Sequence, residues 1–209
     1  MSPAVNAGIE LGVEKGVITS TNVMTNMPEY KSAAKLKERY PQVSVGLHWT
    51  VSCGKPVLRP EQVRSLVDLD GNFYPPAVFV KRFQHNQIKK RELKAELVAQ
   101  YNRYVEVCGK PDYWNTHQNT HVHLKLFGFF VDLAAELQIP KMRFHQKIWV
   151  RPADGYTAPV AFRLKEAMKS VVLKMWRRRI QRKGMCAPDG LIAFVSPSEG
   201  YAALDFLER

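Results

Sequence analysis

The chain has 209 residues, which is enough for one medium-sized domain with a substantial core, and its 45% hydrophobic and 24% charged residues are ordinary for a globular protein. No apolar run reaches the length of a membrane span, and the opening MSPAVNAGIE lacks the regions of a secretory signal peptide. Three scattered cysteines, Cys53, Cys108 and Cys186, fit reduced thiols better than a disulfide framework or a zinc ribbon, so we expect a cytoplasmic protein.

The formal net charge of +12 raises nucleic acid as a partner. The positive charge is concentrated in Lys81–Lys94 and Lys174–Lys183, both in or next to predicted helices. We interpret these segments as solvated helix faces, with a surface for phosphates or acidic glycans as the alternative. No recognised nucleic-acid motif accompanies them, so a nucleic-acid partner is not expected.

The hydrophobic pattern predicts helices and strands in alternation. The first predicted elements, in chain order, are a helix over 6–13, a strand over 17–24, a helix over 29–39 and a strand over 43–49. A loop region rich in proline pairs is predicted to follow as far as about residue 86. The later predicted elements are a helix over 88–107, a strand over 111–117, a helix over 124–138, a strand over 139–145 and a helix over 162–182.

This alternation predicts parallel βαβ units in a single domain over 1–209, arranged as an open sheet or a barrel. In such folds the chemistry gathers at the carboxyl ends of the strands. Three predicted strands end in polar side chains: His48 on one, Asn115, Thr116 and His117 on another, and Arg143 and His145 on a third. We therefore expect these side chains to converge on one rim of the sheet.

The segment NTHQNTHVH, residues 115–123, holds three of the 6 histidines. Two neutral imidazoles and a carboxylate form a common site for a divalent metal with open positions for water and substrate. Such a metal lowers the pKa of bound water and polarises a carbonyl, as amide or ester hydrolysis requires. The spacing of these histidines is not the helical zinc-protease pattern, and by itself it specifies no metal.

Four stretches in this order resemble the YdjC-like carbohydrate deacetylases: PAVNAGIELGVEKGVITSTNVMTNMP, VGLHWT, PDYWNTH with HVH, and the IPKMR strand. The resemblance runs from Ser2 to about Phe194. It implies an α/β fold, namely an incomplete, distorted (β/α) barrel. It also implies the metal-dependent removal of acetyl groups from an N-acetylated sugar or oligosaccharide, with magnesium or zinc as the divalent metal.

The resemblance assigns the metal to two histidines. His48 matches the histidine of the family's Gly-Leu-His motif, and His117 matches the first histidine of its Asp-Ser-His-x-His-Val-His motif. Two extra residues precede His121, so an alignment from the other end places Asn119 where the second ligand should be. Asn115 takes the place of the family's aspartate, and an amide lacks the negative charge that would activate a ligand histidine.

The resemblance also assigns the remaining roles at the rim. Arg143 matches a basic residue that orients a carboxylate or the substrate, and it is predicted to be catalytic together with His121 and His123. Asn26, at the end of its strand, and Asn115 are predicted to bind the substrate.

The chain departs from the family pattern at both ends. The family's opening strand, which ends in Ala-Asp-Asp-Phe-Gly, and its C-terminal strands with a His-Pro motif have no counterpart. The sequence therefore favours a deacetylase domain truncated at both ends, with a degenerate, inactive remnant as the alternative and a basic nucleic-acid-binding protein third. Unpaired sheet edges promote association between chains, so a homodimer is compatible with the sequence.

Overall fold

A parallel β-sheet organises the N-terminal part of the chain in the computed structural model, which describes residues 2–144, 147–148 and 160–192. The chain forms two compact units, Met1–Met142 and Arg143–Arg209. The strands of the first unit are β1 (Ser20–Val23), β2 (Ser44–Trp49) and β3 (Trp114–Thr116). Its helices are α1 (Pro3–Glu14), α2 (Ser32–Arg39), α3 (Pro76–Gln84), α4 (Lys90–Cys108) and α5 (Leu124–Glu136).

The three strands lie in the order β1-β2-β3, and both pairings are parallel. Ser20 pairs with Ser44, and Leu47 pairs with Trp114. Every strand therefore ends at the same edge of the sheet, which confirms the predicted parallel α/β architecture. Closure of this sheet into a barrel stays a prediction.

An aromatic core lies between the sheet and helices α4 and α5. Trp49 and Trp114, on neighbouring strands, are both fully buried, with ring centroids 5.2 Å apart. Phe130 of α5 packs against them at 5.9 Å and 6.1 Å. The Trp49 indole also donates a hydrogen bond of 2.9 Å to the carbonyl of Leu97 in α4. Because buried aromatic rings interlock, this core fixes the carboxyl ends of β2 and β3.

Tyr113, immediately before β3, connects all three strands. Its ring covers Gly46, where a Cβ atom would lie only 2.6 Å from the ring. Its hydroxyl donates to the Thr21 carbonyl at 2.8 Å and accepts from the Ser20 hydroxyl at 2.7 Å. The glycine in β2 is therefore required for close approach of the tyrosine ring.

Two predicted elements differ from the structure. The predicted loop region contains α3, because Pro76 occupies the first helical turn, where proline costs no hydrogen bond. The strand predicted over 139–145 is reduced to one parallel bridge between Trp114 and Met142. His145, predicted at the end of that strand, lies outside the described residues.

The second unit contains helix α6 (Val160–Arg182) and the parallel pair β4 (Lys147–Ile148) and β5 (Leu191–Ile192). The helix confirms the prediction for 162–182. The Arg177 guanidinium lies over the Phe144 ring at 4.9 Å and donates to the Asp189 carboxylate at 3.1 Å. In the part of the chain that the structure describes, no helix is both long and apolar enough to cross a membrane.

Candidate active site

Two histidines meet at the carboxyl end of the sheet. His48, in β2, is the register partner of Asn115 in β3, and His117 follows β3 directly. Nε2 of His48 and Nδ1 of His117 are 3.4 Å apart, and the two rings meet edge to face with centroids 5.6 Å apart. The parallel sheet thus brings together imidazoles that are 69 residues apart in sequence.

Asn115 sets the orientation of His48. Its side-chain oxygen lies 2.5 Å from Nδ1 of His48, and an amide oxygen can only accept a hydrogen bond. Nδ1 therefore carries the proton, and Nε2 is the lone-pair nitrogen that faces His117. Asn115 is fully buried, so the position of this amide is fixed by its surroundings.

The turn after β3 positions His117. Gln118 and Asn119 both adopt left-handed backbone conformations, with φ of 50° and 54°. The Thr120 hydroxyl donates to the His117 carbonyl at 2.8 Å and closes the turn. Partial burial lowers the pKa of the His117 imidazole, because the charged form loses hydration. His117 is therefore neutral at neutral pH, the state in which histidine binds metals.

The two histidines fit a shared transition-metal ion. Imidazole nitrogens bound tetrahedrally to zinc at about 2.0–2.1 Å lie about 3.3 Å apart. The observed separation of 3.4 Å between His48 and His117 is close to that value. An imidazole pair suits zinc better than magnesium, which prefers oxygen ligands. Within the described ranges, no group of three or more His, Cys, Asp or Glu side chains is placed to hold a metal.

His121 lies below this site in the core. It is 1% exposed, and its ring packs edge to face against Trp114 at 5.3 Å. Nδ1 of His121 and the Thr116 hydroxyl are 2.7 Å apart, and the backbone N–H of His121 donates to the same hydroxyl at 3.1 Å. These contacts hold the turn against β3, so the structure places His121 as a support for His117. Its catalytic role stays a prediction.

His123 precedes α5 and lines a surface cavity of about 560 Å³, together with residues of α3 that include Phe83. This volume is within the range of small-ligand sites. His123 is exposed as a whole, and local loss of hydration lowers the pKa of its imidazole. A second cavity of about 250 Å³ lies beside β1 between α1 and α2, and its described lining includes no histidine. The catalytic role predicted for His123 stays a prediction.

Asn26 holds the loop that follows β2. Its amide donates to the carbonyls of Cys53 at 2.9 Å and Lys55 at 3.1 Å. Both donor hydrogens are therefore used within the protein, while its predicted contact with substrate is not tested.

Buried polar atoms without a hydrogen-bond partner in the described structure occur at the carboxyl ends of all three strands. They include the side-chain oxygens of Asn22, Asn26, Ser52 and Asn119 and the side-chain nitrogen of Asn115. Buried polar groups are normally satisfied by protein or by water. This polar rim coincides with the position of the two histidines.

The family model described as YdjC-like protein matches residues 1–207. The chain belongs to the YdjC-like family.

Curated relatives of this YdjC-like chain are named as deacetylases. It is 33% identical over 141 residues to a carbohydrate deacetylase of Brevibacillus brevis, covering 66% of this chain and 53% of the relative. It is 30% identical over 141 residues to a chitooligosaccharide deacetylase of Proteus mirabilis, covering 67% of this chain and 53% of the relative. The chain thus spans little more than half the length of these curated relatives.

A solved structure shares the fold. A crystal structure from Enterococcus faecalis V583, titled as that of a cellobiose-phosphate cleavage protein, matches with a TM-score of 0.71 and 25% identity. The match covers 99% of this chain and 71% of the other. Together with the parallel sheet, this likeness supports the YdjC-like α/β fold.

Sequence reasoning missed one role in this YdjC-like site and left another untested. The oxygen of Asn115 orients His48, because the register of the two parallel strands places His48 beside Asn115. The substrate binding predicted for Asn115 stays a prediction. Arg143 is half-buried and belongs to the second unit, and its catalytic role stays a prediction.

Proposed function

We propose that this chain forms part of a carbohydrate N-deacetylase that removes acetyl groups from N-acetylated sugars, with a divalent metal, zinc in preference to magnesium, bound by His48 and His117. The observation that carries the proposal is the 3.4 Å separation of their ring nitrogens at the carboxyl rim of the sheet. The family assignment and the names of the relatives support the substrate class.

The residues of the chain prepare this site for hydrolysis. Asn115 fixes His48 with its Nε2 lone pair turned toward His117, and burial keeps His117 neutral. A bound divalent ion supplies positive charge that polarises an amide carbonyl and acidifies water. Under this proposal Arg143 orients the substrate. His123 is neutral at rest because its pKa is lowered, so it first accepts a proton from the attacking water and then donates it to the departing amine.

A second candidate function is sugar or metal binding without turnover. It is favoured by the amide of Asn115, since no carboxylate occupies that place beside His48. Loss of the charged partner of a ligand histidine typically lowers metal affinity or activity about 10–100-fold. Under this alternative the chain retains the histidine pair but releases little acetate.

The test is acetate release from N-acetylglucosamine oligomers in zinc, in magnesium and after chelation. The deacetylase proposal predicts zinc-dependent release that disappears in His48→Ala and in His117→Ala. Gln42→Ala, which changes an exposed side chain at the opposite end of β2 from His48, serves as the control and should retain the wild-type rate. Metal binding without acetate release would support the binding-only alternative.

Calorimetry tests the metal ligands separately. Zinc binding should be weak in the wild type and should be lost when both His48 and His117 are replaced by alanine. Retention of wild-type affinity in that double variant would refute the assignment of the ligands.

A further inference from the structure

The loop from Val51 to Pro56 begins three residues after His48 and is held at both ends by helix α4. At its start, Gln100 pairs with both backbone groups of Thr50: its amide donates to the Thr50 carbonyl at 2.7 Å, and its oxygen accepts from the Thr50 N–H at 3.0 Å. At its end, the backbone N–H groups of Val57 and Leu58 donate to the two carboxylate oxygens of Glu96, at 2.8 Å and 3.0 Å.

The two α4 residues are also joined to each other. The amide of Gln100 donates to a carboxylate oxygen of Glu96 at 2.8 Å, and both side chains are fully buried. The Thr25 hydroxyl, two residues after β1, donates to the Gln100 carbonyl at 2.9 Å. We call Glu96 and Gln100 the α4 clamp. Its side chains connect the carboxyl end of β2 to the far end of the loop, whereas Thr25 bonds to the backbone of α4.

Burial of the polar side chains of the α4 clamp costs free energy, and the need to fill space in the core does not explain why they occur there. Taking a carboxylate and an amide out of water is unfavourable, and burial raises the pKa of the Glu96 carboxyl. Apolar side chains at these helix positions would fill the same space without that cost. The polar pair instead fixes the backbone. Its two side chains bind four N–H or C=O groups at the boundaries of the loop.

We propose that Gln100 and Glu96 are positioning residues that fix the His48 end of β2 and hold the 51–56 loop as a rigid wall of the site. The inference rests on the proposed metal-dependent function. Asn26 adds a third attachment in the middle of the loop through Cys53 and Lys55. Loss of the clamp should therefore weaken metal binding and disturb the orientation of the substrate. These losses should exceed what the change in unfolding free energy alone would predict.

The test compares isosteric changes on one helix face. Gln100→Met and Glu96→Gln break the clamp with little change in volume. Glu92→Gln is the matched control, since Glu92 lies one turn earlier in α4 and accepts from the Ser65 backbone at 2.7 Å. Amide hydrogen exchange of the loop boundaries, zinc calorimetry and thermal melting are measured for each variant.

We expect Gln100→Met to accelerate exchange at Thr50, and Glu96→Gln to accelerate exchange at Val57 and Leu58. Both variants should lower zinc affinity about tenfold. Glu92→Gln should accelerate exchange at Ser65 and leave zinc affinity unchanged. If the clamp variants accelerate exchange but bind zinc as tightly as the wild type, or do not accelerate it, the proposal is wrong.

Two further comparisons keep the outcome decisive. If Gln100→Met does not fold, Asn26→Ala takes its place, because it removes only the half-buried attachment in the middle of the loop. This variant should accelerate exchange in the loop and lower zinc affinity. Exchange and zinc affinity equal to those of the wild type would overturn the proposal. If the wild type binds no zinc, the proposed function fails, and the rigid-wall inference is then decided by loop exchange alone.

Discussion

At the scale of single residues, the contact between Asn115 and His48 decides what the site can do. The amide oxygen fixes the ring and its tautomer, as a carboxylate in the same place would. It adds no negative charge, so the basicity of the His48 ligand nitrogen is lower than it would be beside an aspartate. One atom, nitrogen in place of oxygen, separates a site that orients its ligand from one that also activates it.

Asn115→Asp should therefore tighten zinc binding by about tenfold, in line with the usual effect of such partners on metal affinity. Without metal, the variant should be less stable than the wild type, because position 115 is fully buried and a buried carboxylate is unfavourable. Zinc calorimetry and thermal melting with and without zinc measure both effects.

Asn102→Asp provides the control of equal charge. Asn102 is exposed in α4 and has no assigned part in the metal site. If this variant tightens zinc binding as much as Asn115→Asp does, a general electrostatic effect rather than the contact with His48 is responsible.

At the scale of elements, the turn from His117 to Val122 sets the geometry that joins the two histidines. Two consecutive non-glycine residues, Gln118 and Asn119, adopt left-handed conformations there. Such conformations are unfavourable for most side chains and are found where the surrounding structure enforces them. The hydroxyls of Thr116 and Thr120 provide that enforcement through their bonds to His121 and His117.

Gln118→Val should destabilise the protein by about 1–2 kcal/mol and weaken zinc binding, because a β-branched side chain disfavours the left-handed region. Gln118→Gly should keep near wild-type stability, since glycine adopts this conformation readily. Gln84→Val, the same change at an exposed position in α3, should cost only a few tenths of a kcal/mol. Equal losses in the two valine variants, measured by urea unfolding, would show that the turn is unstrained.

The elements themselves were largely predictable, since α4, α5 and α6 follow clear apolar patterns and β2 alternates. The exceptions have identifiable causes. Pro75 and Pro76 indicated a loop, but proline also begins helices, and only tertiary packing of Phe79 and Phe83 decides for α3. Ile139 and Met142 are buried in an apolar run that looks like a strand, yet only Met142 forms a bridge.

For the candidate site, the sequence predicted which strand ends meet but not how their side chains divide the work. His48 and His117 come together because parallel strands end at one edge. The orienting role of Asn115 depends on strand register, and the burial of His121 depends on the turn that follows β3. Neither can be read from residue types or spacing.

At the scale of the whole molecule, the aromatic core supports the site from below. Phe130 is fully buried against both tryptophans, whereas its neighbour Phe129 is half-buried. Phe130→Ala should cost about 3–5 kcal/mol of unfolding free energy, because a large cavity would open between α5 and the sheet. Phe129→Ala serves as the control and should cost clearly less in urea or thermal unfolding. Equal costs would contradict the central place given to Phe130.

The phenol of Tyr113 has a consequence for synthesis of the chain on the ribosome. Its partner Ser20 is made 93 residues earlier. At translation rates of about 5–20 residues per second, β1 exists for roughly 5–20 s and β2 for roughly 3–13 s before the ring that covers Gly46 has been made. During that interval Gly46 is not covered by the tyrosine ring, and the sheet still lacks β3. Until residue 113 has been made, the edge of β2 that pairs with β3 is open to association with other chains.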